Sequence, residues 1–417
     1  MNRAPTSDAR AGGELHSRST GVQPRGIGFV NEDDTMALVD NAVAAYTRRF
    51  GAAPRAAALA PGRVEIMGNH TDYNGGFVLP AALDKGTVVA GSATGNDTIS
   101  LHAADFRRDA VFSAKDLRAD PHNSWASYVL GVVQQLQREG VAIGGFNAVI
   151  HSDVPGGAGL SSSAALEVAT AFFLQQLFPY DRDPMQIARL CQRAENEFVG
   201  VPCGILDQFS SVFGVQDGLL FLDCLTLEHS AVKMGRDDIA IVICDSNVKH
   251  ALTSGDYATR HAECMAAAAH FGKPLLREVT WEEFMAREGE LPPNQQKRVR
   301  HVLSEDRRVL AMREAALKGD LTRMGQLLAE GHASCRDLFA NSTPEIDMLV
   351  ALAVQLSGCI GAKLTGGGWG GCTVNLVHAE AVPQFCRELA AQYKEKAGNE
   401  AHVYACRAAQ GARAVKV

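Results

Sequence analysis

Three glycine-rich segments of this chain combine residue types suited to holding a phosphate and a hydroxylated ligand. In 155–169 (PGGAGLSSSAALEVA), Gly156, Gly157 and Gly159 precede three serines at the start of an apolar helical run. Glycines permit tight turns, and a helix start offers free backbone N–H groups, so Gly157, Ala158, Gly159, Leu160, Ser161, Ser162 and Ser163 form a candidate anion cradle. The string is neither a Walker A loop, which needs a following Lys-Ser or Lys-Thr, nor a dinucleotide fingerprint, because Ser162 stands where a third glycine belongs. Taken alone it reads more simply as a serine-capped turn before a core helix. In 60–80 (APGRVEIMGNHTDYNGGFVLP), Arg63, His70 and Asp72 lie among small residues between two apolar runs, a density of polar groups that suits a ligand-binding turn. Arginine stabilises charge on a moving phosphoryl group, and aspartate accepts hydrogen bonds from two neighbouring hydroxyls. A surface loop with an Asp-Tyr-Asn-Gly-Gly turn is the plain alternative. With no second histidine at ligand spacing, His70 does not suggest zinc. The third segment, 361–377 (GAKLTGGGWGGCTVNLV), interrupts five glycines only with Trp369, so either a ligand approaches the backbone there or the segment is a flexible hairpin. Between them, Asp207 follows a short apolar stretch in CGILDQFSSVFG (203–214). There a carboxylate can act as a base towards a hydroxyl or hold it, although a lone aspartate is more often a helix cap.

These segments need a scaffold, and the periodicity supplies one. Apolar spacing from Met36 to Tyr46, closed by Gly51, predicts a helix. Runs at 87–93, 146–154, 217–224 and 239–245 read as strands, and 163–177 and 185–199 as helices. From about 256 to 356 the pattern is mostly helical, followed by the glycine-rich segment, a strand at TVNLV and a last helix. The expected division is a disordered tail over 1–30, a first α/β domain over 31–228 and a second over 229–417. A net charge of −7 argues against tight nucleic-acid binding. Ten singly placed cysteines indicate neither a zinc ribbon nor a disulfide framework and fit a reducing cytoplasm. No run is apolar and long enough to span a bilayer, so no membrane partner is expected.

The three strings, in this order, resemble the signature motifs of the GHMP small-molecule kinases and in particular their galactokinase branch. GRVEIMGNHTDYNGGFVLP is typical of that branch, while GAGLSSSA and TGGGWGGCT are typical of the superfamily. Further similarity lies in AENEFVGVPCGILDQ, SNVKHALTSGDYATRHAEC and HASCRDLFANSTPEID, so the resemblance covers about 35–410. It implies a mixed α/β (α+β) architecture of two domains, the first like domain 2 of ribosomal protein S5 and the second ferredoxin-like, with the active site between them. It implies ATP-dependent phosphorylation of the anomeric hydroxyl of galactose or a close relative, with Mg²⁺. By resemblance, Asp207 and Arg63 are catalytic, and Asn69, His70, Asp72, Gly204 and Tyr257 contact the sugar. Gly157 to Ser163 and Trp125 bind ATP, and Ser163 and Glu195 are magnesium ligands, hard oxygens that suit the ion. A monomer or weak homo-oligomer is expected. A non-catalytic galactose and ATP sensor of the same fold is the alternative, against which stands the presence of Arg63, Ser163, Glu195 and Asp207. The chain departs from the family at four places. Galactokinases usually carry Glu where Asn69 stands, to accept a hydrogen bond from the sugar's 6-hydroxyl, and Asn, Arg and Phe where Glu65, Lys363 and Trp369 stand.

Overall fold

The computed structural model describes residues 32–249 and 255–417; the tail expected over 1–30 lies outside them. Among the described residues twelve strands fall into two sheets. The first contains β1 (Ala56–Met67), β2 (Phe77–Ala93), β3 (Thr98–Ala103), β4 (Arg108–Ser113), β5 (Phe146–Ser152), β6 (Gly218–Asp223) and β7 (His229–Lys233). The second contains β8 (Ile239–Lys249), β9 (Cys359–Thr365), β10 (Gly370–His378) and β11 (His402–Cys406), while β12 (Arg413–Val415) returns to the first. The first sheet runs β12-β1-β2-β5-β3-β4, with β6 and β7 attached through β2; the second runs β11-β8-β10-β9. Among the described residues only β3 and β5 pair in parallel. The division expected at 228/229 falls in the turn between β6 and β7.

Helices predicted from periodicity form close to their expected places. The first runs Glu32–Phe50 and stops at Gly51, whose φ of 76° needs no Cβ accommodation. The run 163–177 becomes the helix Ser162–Leu177, and 185–199 divides into a helix Pro184–Arg193 and a π-helical turn Ala194–Val199. The segment 60–80 differs from expectation. Most of its first half is strand, because β1 has all twelve residues buried between helices on one side and the second sheet's helices on the other, leaving only about 68–76 as the turn. Arg63 is therefore held on a strand rather than on a loop.

Two cores fix the site from opposite sides. Val129, Leu130, Val168 and Phe173, from the helices Ala126–Arg138 and Ser162–Leu177, pack on Ala58, Val89 and Phe146 of the first sheet. A second core joins the sheets: Val64, Ile66 and Leu79 meet Ile243 and Val374, with Val309 and Leu327 from the helices Pro293–Lys318 and Leu321–Ser334. Each such side chain contributes about 1.5–3 kcal/mol on full burial, enough together to hold the two sheets in one register. Among the described residues no helix is long and apolar enough to cross a membrane. All ten cysteines are free thiols.

Candidate active site

A cavity of about 900 Å³ opens where β1, the loop before the helix Ser162–Leu177, and the turn between β9 and β10 converge. Close backbone approach brings them together. The Arg63 N–H donates to the Leu160 carbonyl at 3.1 Å, and a Cβ on Gly62 would stand 2.8 Å from that same oxygen. On the other side, the Glu65 N–H donates to Thr365 Oγ1 at 3.0 Å, tying β1 to β9. A Cβ on Gly366, where φ is 74°, would stand 3.0 Å from the carbonyl of Gly159, so the β9–β10 turn lies directly against the serine loop. This closeness explains the glycine density that the sequence shows at both places.

At the centre stands Asp207, in the first turn of the helix Leu206–Phe213. Its Oδ1 accepts from Arg63 Nε at 2.7 Å and Nη2 at 2.5 Å, and its Oδ2 accepts from Ser161 Oγ at 2.5 Å. Arg63 Nη1 donates to the Gly159 carbonyl at 2.6 Å, so one guanidinium clamps the carboxylate and the serine loop together. Ser161 has φ 55°, a left-handed conformation that costs a non-glycine residue about 1–2 kcal/mol. It occupies the N-cap of its helix yet makes no side-chain cap, because its hydroxyl is spent on Asp207. The first-turn N–H groups beside Ser162 and Ser163 are thus left at the cavity, with the positive end of a sixteen-residue helix behind them.

The turn 68–76 supplies a second group of polar side chains. His70 stacks on Phe339 with centroids 4.3 Å apart, and burial pushes its pKa down to about 3, so the ring is neutral. Its Nε2 faces the Gly367 carbonyl at 2.9 Å and must carry the proton; Nδ1 therefore accepts from the Tyr73 hydroxyl at 3.0 Å. Asp72 is raised to about 6 by burial and then by the charge of Asp207. It presses against Gly204, where a Cβ would fall 1.9 Å from its Oδ2. Tyr257, on the helix Gly255–His270, has its ring 5.4 Å from that of His70 and completes this end of the cavity.

At the opposite end Trp125, Tyr128 and Phe106 line the wall. The buried Trp125 Nε1 has no hydrogen-bond partner, an unmet donor of the kind that an incoming ligand satisfies. Between the ends, Ser163 and Glu195 both line the cavity, and Gln208 Nε2 donates to Glu195 Oε2 at 2.6 Å. Burial and the charge of Asp207 raise Glu195 to about 7, so its ionised form lacks a nearby positive partner. Two hard oxygens in this setting fit a magnesium ion whose remaining ligands are water and phosphate oxygens.

The structure gathers Arg63, His70, Asp72, Trp125, Gly157, Gly159, Leu160 to Ser163, Glu195, Gly204, Asp207 and Tyr257 around one cavity. Two expected residues stand apart. Ala158 is 1% exposed and packs in the core joining the sheets rather than in the wall. Asn69 is fully buried behind the wall, where its Nδ2 donates to Glu65 Oε2 at 2.7 Å and to the Gly366 carbonyl at 2.9 Å, and its Oδ1 accepts from Lys363 Nζ. This placement stands against the expectation that Asn69 touches the sugar, because both N–H groups of its amide and one direction of its oxygen are engaged inside the protein. In the wall stands Glu65 instead. Sequence reasoning treats it only as a departure from the family; the available signal is a lone carboxylate two residues after Arg63 in an otherwise apolar strand.

Comparison with known proteins identifies the family. The galactokinase galactose-binding signature matches residues 44–93, the GHMP kinases N-terminal domain 127–215, and the GHMP kinases C-terminal domain 312–395. The Lactococcus lactis galactokinase, solved in complex with galactose, is 31% identical, with a TM-score of 0.86 over 91% of this chain and 99% of its own. The chain belongs to the galactokinase family of the GHMP kinases. It is a two-domain sugar kinase with the mixed α/β GHMP fold. More distant structures share the fold alone. The Methanococcus jannaschii mevalonate kinase is 20% identical with a TM-score of 0.61, covering 85% of this chain and 98% of its own. A D-glycero-D-manno-heptose 1-phosphate kinase from Bacteriodes thetaiotaomicron is 16% identical with a TM-score of 0.59, covering 87% of this chain and 99% of its own.

Proposed function

We propose that this kinase transfers the γ-phosphoryl group of ATP to the anomeric 1-hydroxyl of galactose or a close relative. The observation that carries the reading is the three-way contact of Asp207, Arg63 and Ser161 at the point where the serine loop meets the His70–Asp72 turn. Phosphoryl transfer passes through a loose transition state, so positioning and charge stabilisation do most of the catalysis. The loop Gly157–Ser163 holds the phosphates through N–H groups at the helix start, and Trp125 lies at the adenine end. Arg63, locked on three sides, stays beside the oxygens that gain charge and needs no reorganisation during transfer. Asp207 accepts the hydrogen of the 1-hydroxyl, orienting it or removing its proton as the bond to phosphorus forms. Asp72 accepts from neighbouring ring hydroxyls, while neutral His70 and Tyr257 hold the ring. Magnesium bound by Ser163 and Glu195 would supply positive charge to the ATP phosphates.

The test is galactose-dependent ADP release by the purified protein with Mg-ATP, with the position of the new phosphate read by phosphorus NMR. A phosphate on carbon 1, and loss of turnover in a folded Asp207→Ala variant, is the expected result. No ADP release with galactose, or a phosphate on another carbon, overturns the reading.

A further inference from the structure

Glu65 is a carboxyl of the cavity wall that the roles above leave unused, and its surroundings are built to aim it. Along β1 the register runs unbroken from Arg63 to Glu65, opposite Ala82 and Pro80 of β2, so the two side chains share a face and Val64 turns into the core. Two residues of strand separate them by about 7 Å, so Glu65 lies a step away from the group proposed beside the 1-hydroxyl.

Behind Glu65 stands a directed relay. Lys363, fully buried on β9, donates to Asn69 Oδ1, which forces the Asn69 Nδ2 towards Glu65 Oε2 and the Gly366 carbonyl. The amide cannot flip without setting its N–H groups against an ammonium and its oxygen against a carbonyl. Glu65 is thereby held by one oxygen, and among the described residues Oε1 takes no hydrogen bond although the side chain lines the cavity. An unpartnered oxygen facing a cavity in this way favours a ligand that offers a hydrogen-bonding group over one that lacks it.

We propose that Glu65 is a specificity-determining residue that hydrogen-bonds a sugar hydroxyl on carbon 4 or carbon 6, the edge of the ring away from the anomeric carbon. The inference rests on the galactokinase reading given above. Burial pushes the Glu65 carboxyl up to about 8, with Lys363 and Arg63 acting in the opposite direction. At neutral pH the group is therefore a neutral acid that both donates and accepts, matching a hydroxyl, which does the same.

Initial rates with galactose and with its 2-, 4- and 6-deoxy analogues test this in the native protein, Glu65→Gln and Glu65→Ala. The native kinase should prefer galactose over the 4- or the 6-deoxy sugar by about tenfold or more in kcat/KM. Glu65→Ala should bring that ratio to within about threefold of unity, leaving discrimination against 2-deoxygalactose and the KM for ATP unchanged; the neutral isostere Glu65→Gln should keep most of the preference. Should Glu65→Ala fail to fold, Glu65→Asp, which withdraws the carboxyl by one methylene, carries the same expectation. Unchanged 4- and 6-deoxy ratios with galactose still phosphorylated on carbon 1 would overturn the role of Glu65 alone. A native protein that phosphorylates no hexose would overturn the functional reading and this inference with it.

Discussion

Replacing Gly204 by alanine should disable sugar binding by moving another residue, Asp72. A Cβ at position 204 would lie 1.9 Å from Asp72 Oδ2, 2.3 Å from its Cγ and 3.0 Å from its Cβ. Gly204 is not among the residues with positive φ, so its backbone accepts alanine and the clash is the only cost. With even the Asp72 Cβ crowded, swinging the carboxyl slightly is insufficient; the side chain must leave its rotamer. Overpacking costs about 1–3 kcal/mol if Asp72 stays, and less if it swings out. Once it swings out, hydrogen bonds from sugar hydroxyls to a charged acceptor are lost, about 1.5–3 kcal/mol. At 1.4 kcal/mol per decade, sugar affinity should fall by roughly 10- to 100-fold. Calorimetry with galactose and with a non-hydrolysable ATP analogue reads both halves, the second of which should be unchanged. A double-mutant cycle with Asp72→Ala then decides the mechanism, because Asp72→Ala made on the Gly204→Ala background should cost nothing further. Additive losses, or a parallel loss of nucleotide affinity, would refute the argument that Gly204 acts through Asp72.

Arg63→Lys should lower kcat by about 100-fold or more with little change in melting temperature, since an ammonium cannot reach Asp207 and the Gly159 carbonyl with a planar fork; steady-state kinetics and a thermal melt check both. Ser163→Ala should raise the Mg²⁺ concentration needed for half-maximal turnover while leaving the calorimetric affinity for galactose intact, and a collapse of sugar affinity instead would contradict the assignment. His301, lowered to about 4 by burial, donates Nε2–H to the Asn69 carbonyl at 2.9 Å and stays neutral in the folded protein. The unfolded chain binds its proton near pH 6.5, so this histidine costs the fold stability as pH falls from 6.5 towards 4, by about 3 kcal/mol at the lower end. His301→Gln should flatten the fall of stability across that window in denaturant titrations, and an unchanged slope would count against a neutral His301.

Much of the site was written locally. Glycines before a serine run announced the loop and helix start at 155–177, and the small polar string after Arg63 announced the turn that carries His70 and Asp72, because turn chemistry and helix nucleation depend on neighbouring residues. Ser163 and Glu195 were reached only through the family resemblance, whereas the residue types at 63 and 207 were legible as phosphoryl-transfer chemistry for the same reason. Their meeting was not, since the clamp joins Arg63 to a partner 144 residues along the chain and the final strand β12 travels back to pair with β1. Nor could the sequence say that Ser161 forgoes its helix cap for Asp207, a choice made only when the helix Leu206–Phe213 packs beside it. The reversal at Asn69 and Glu65 shows the limit most clearly. Alternation along β1 assigns a side chain to one face, but which polar group meets solvent and which is buried is decided by Lys363, 294 residues away, whose buried ammonium needs the Asn69 carbonyl oxygen and thereby leaves Glu65 in the wall.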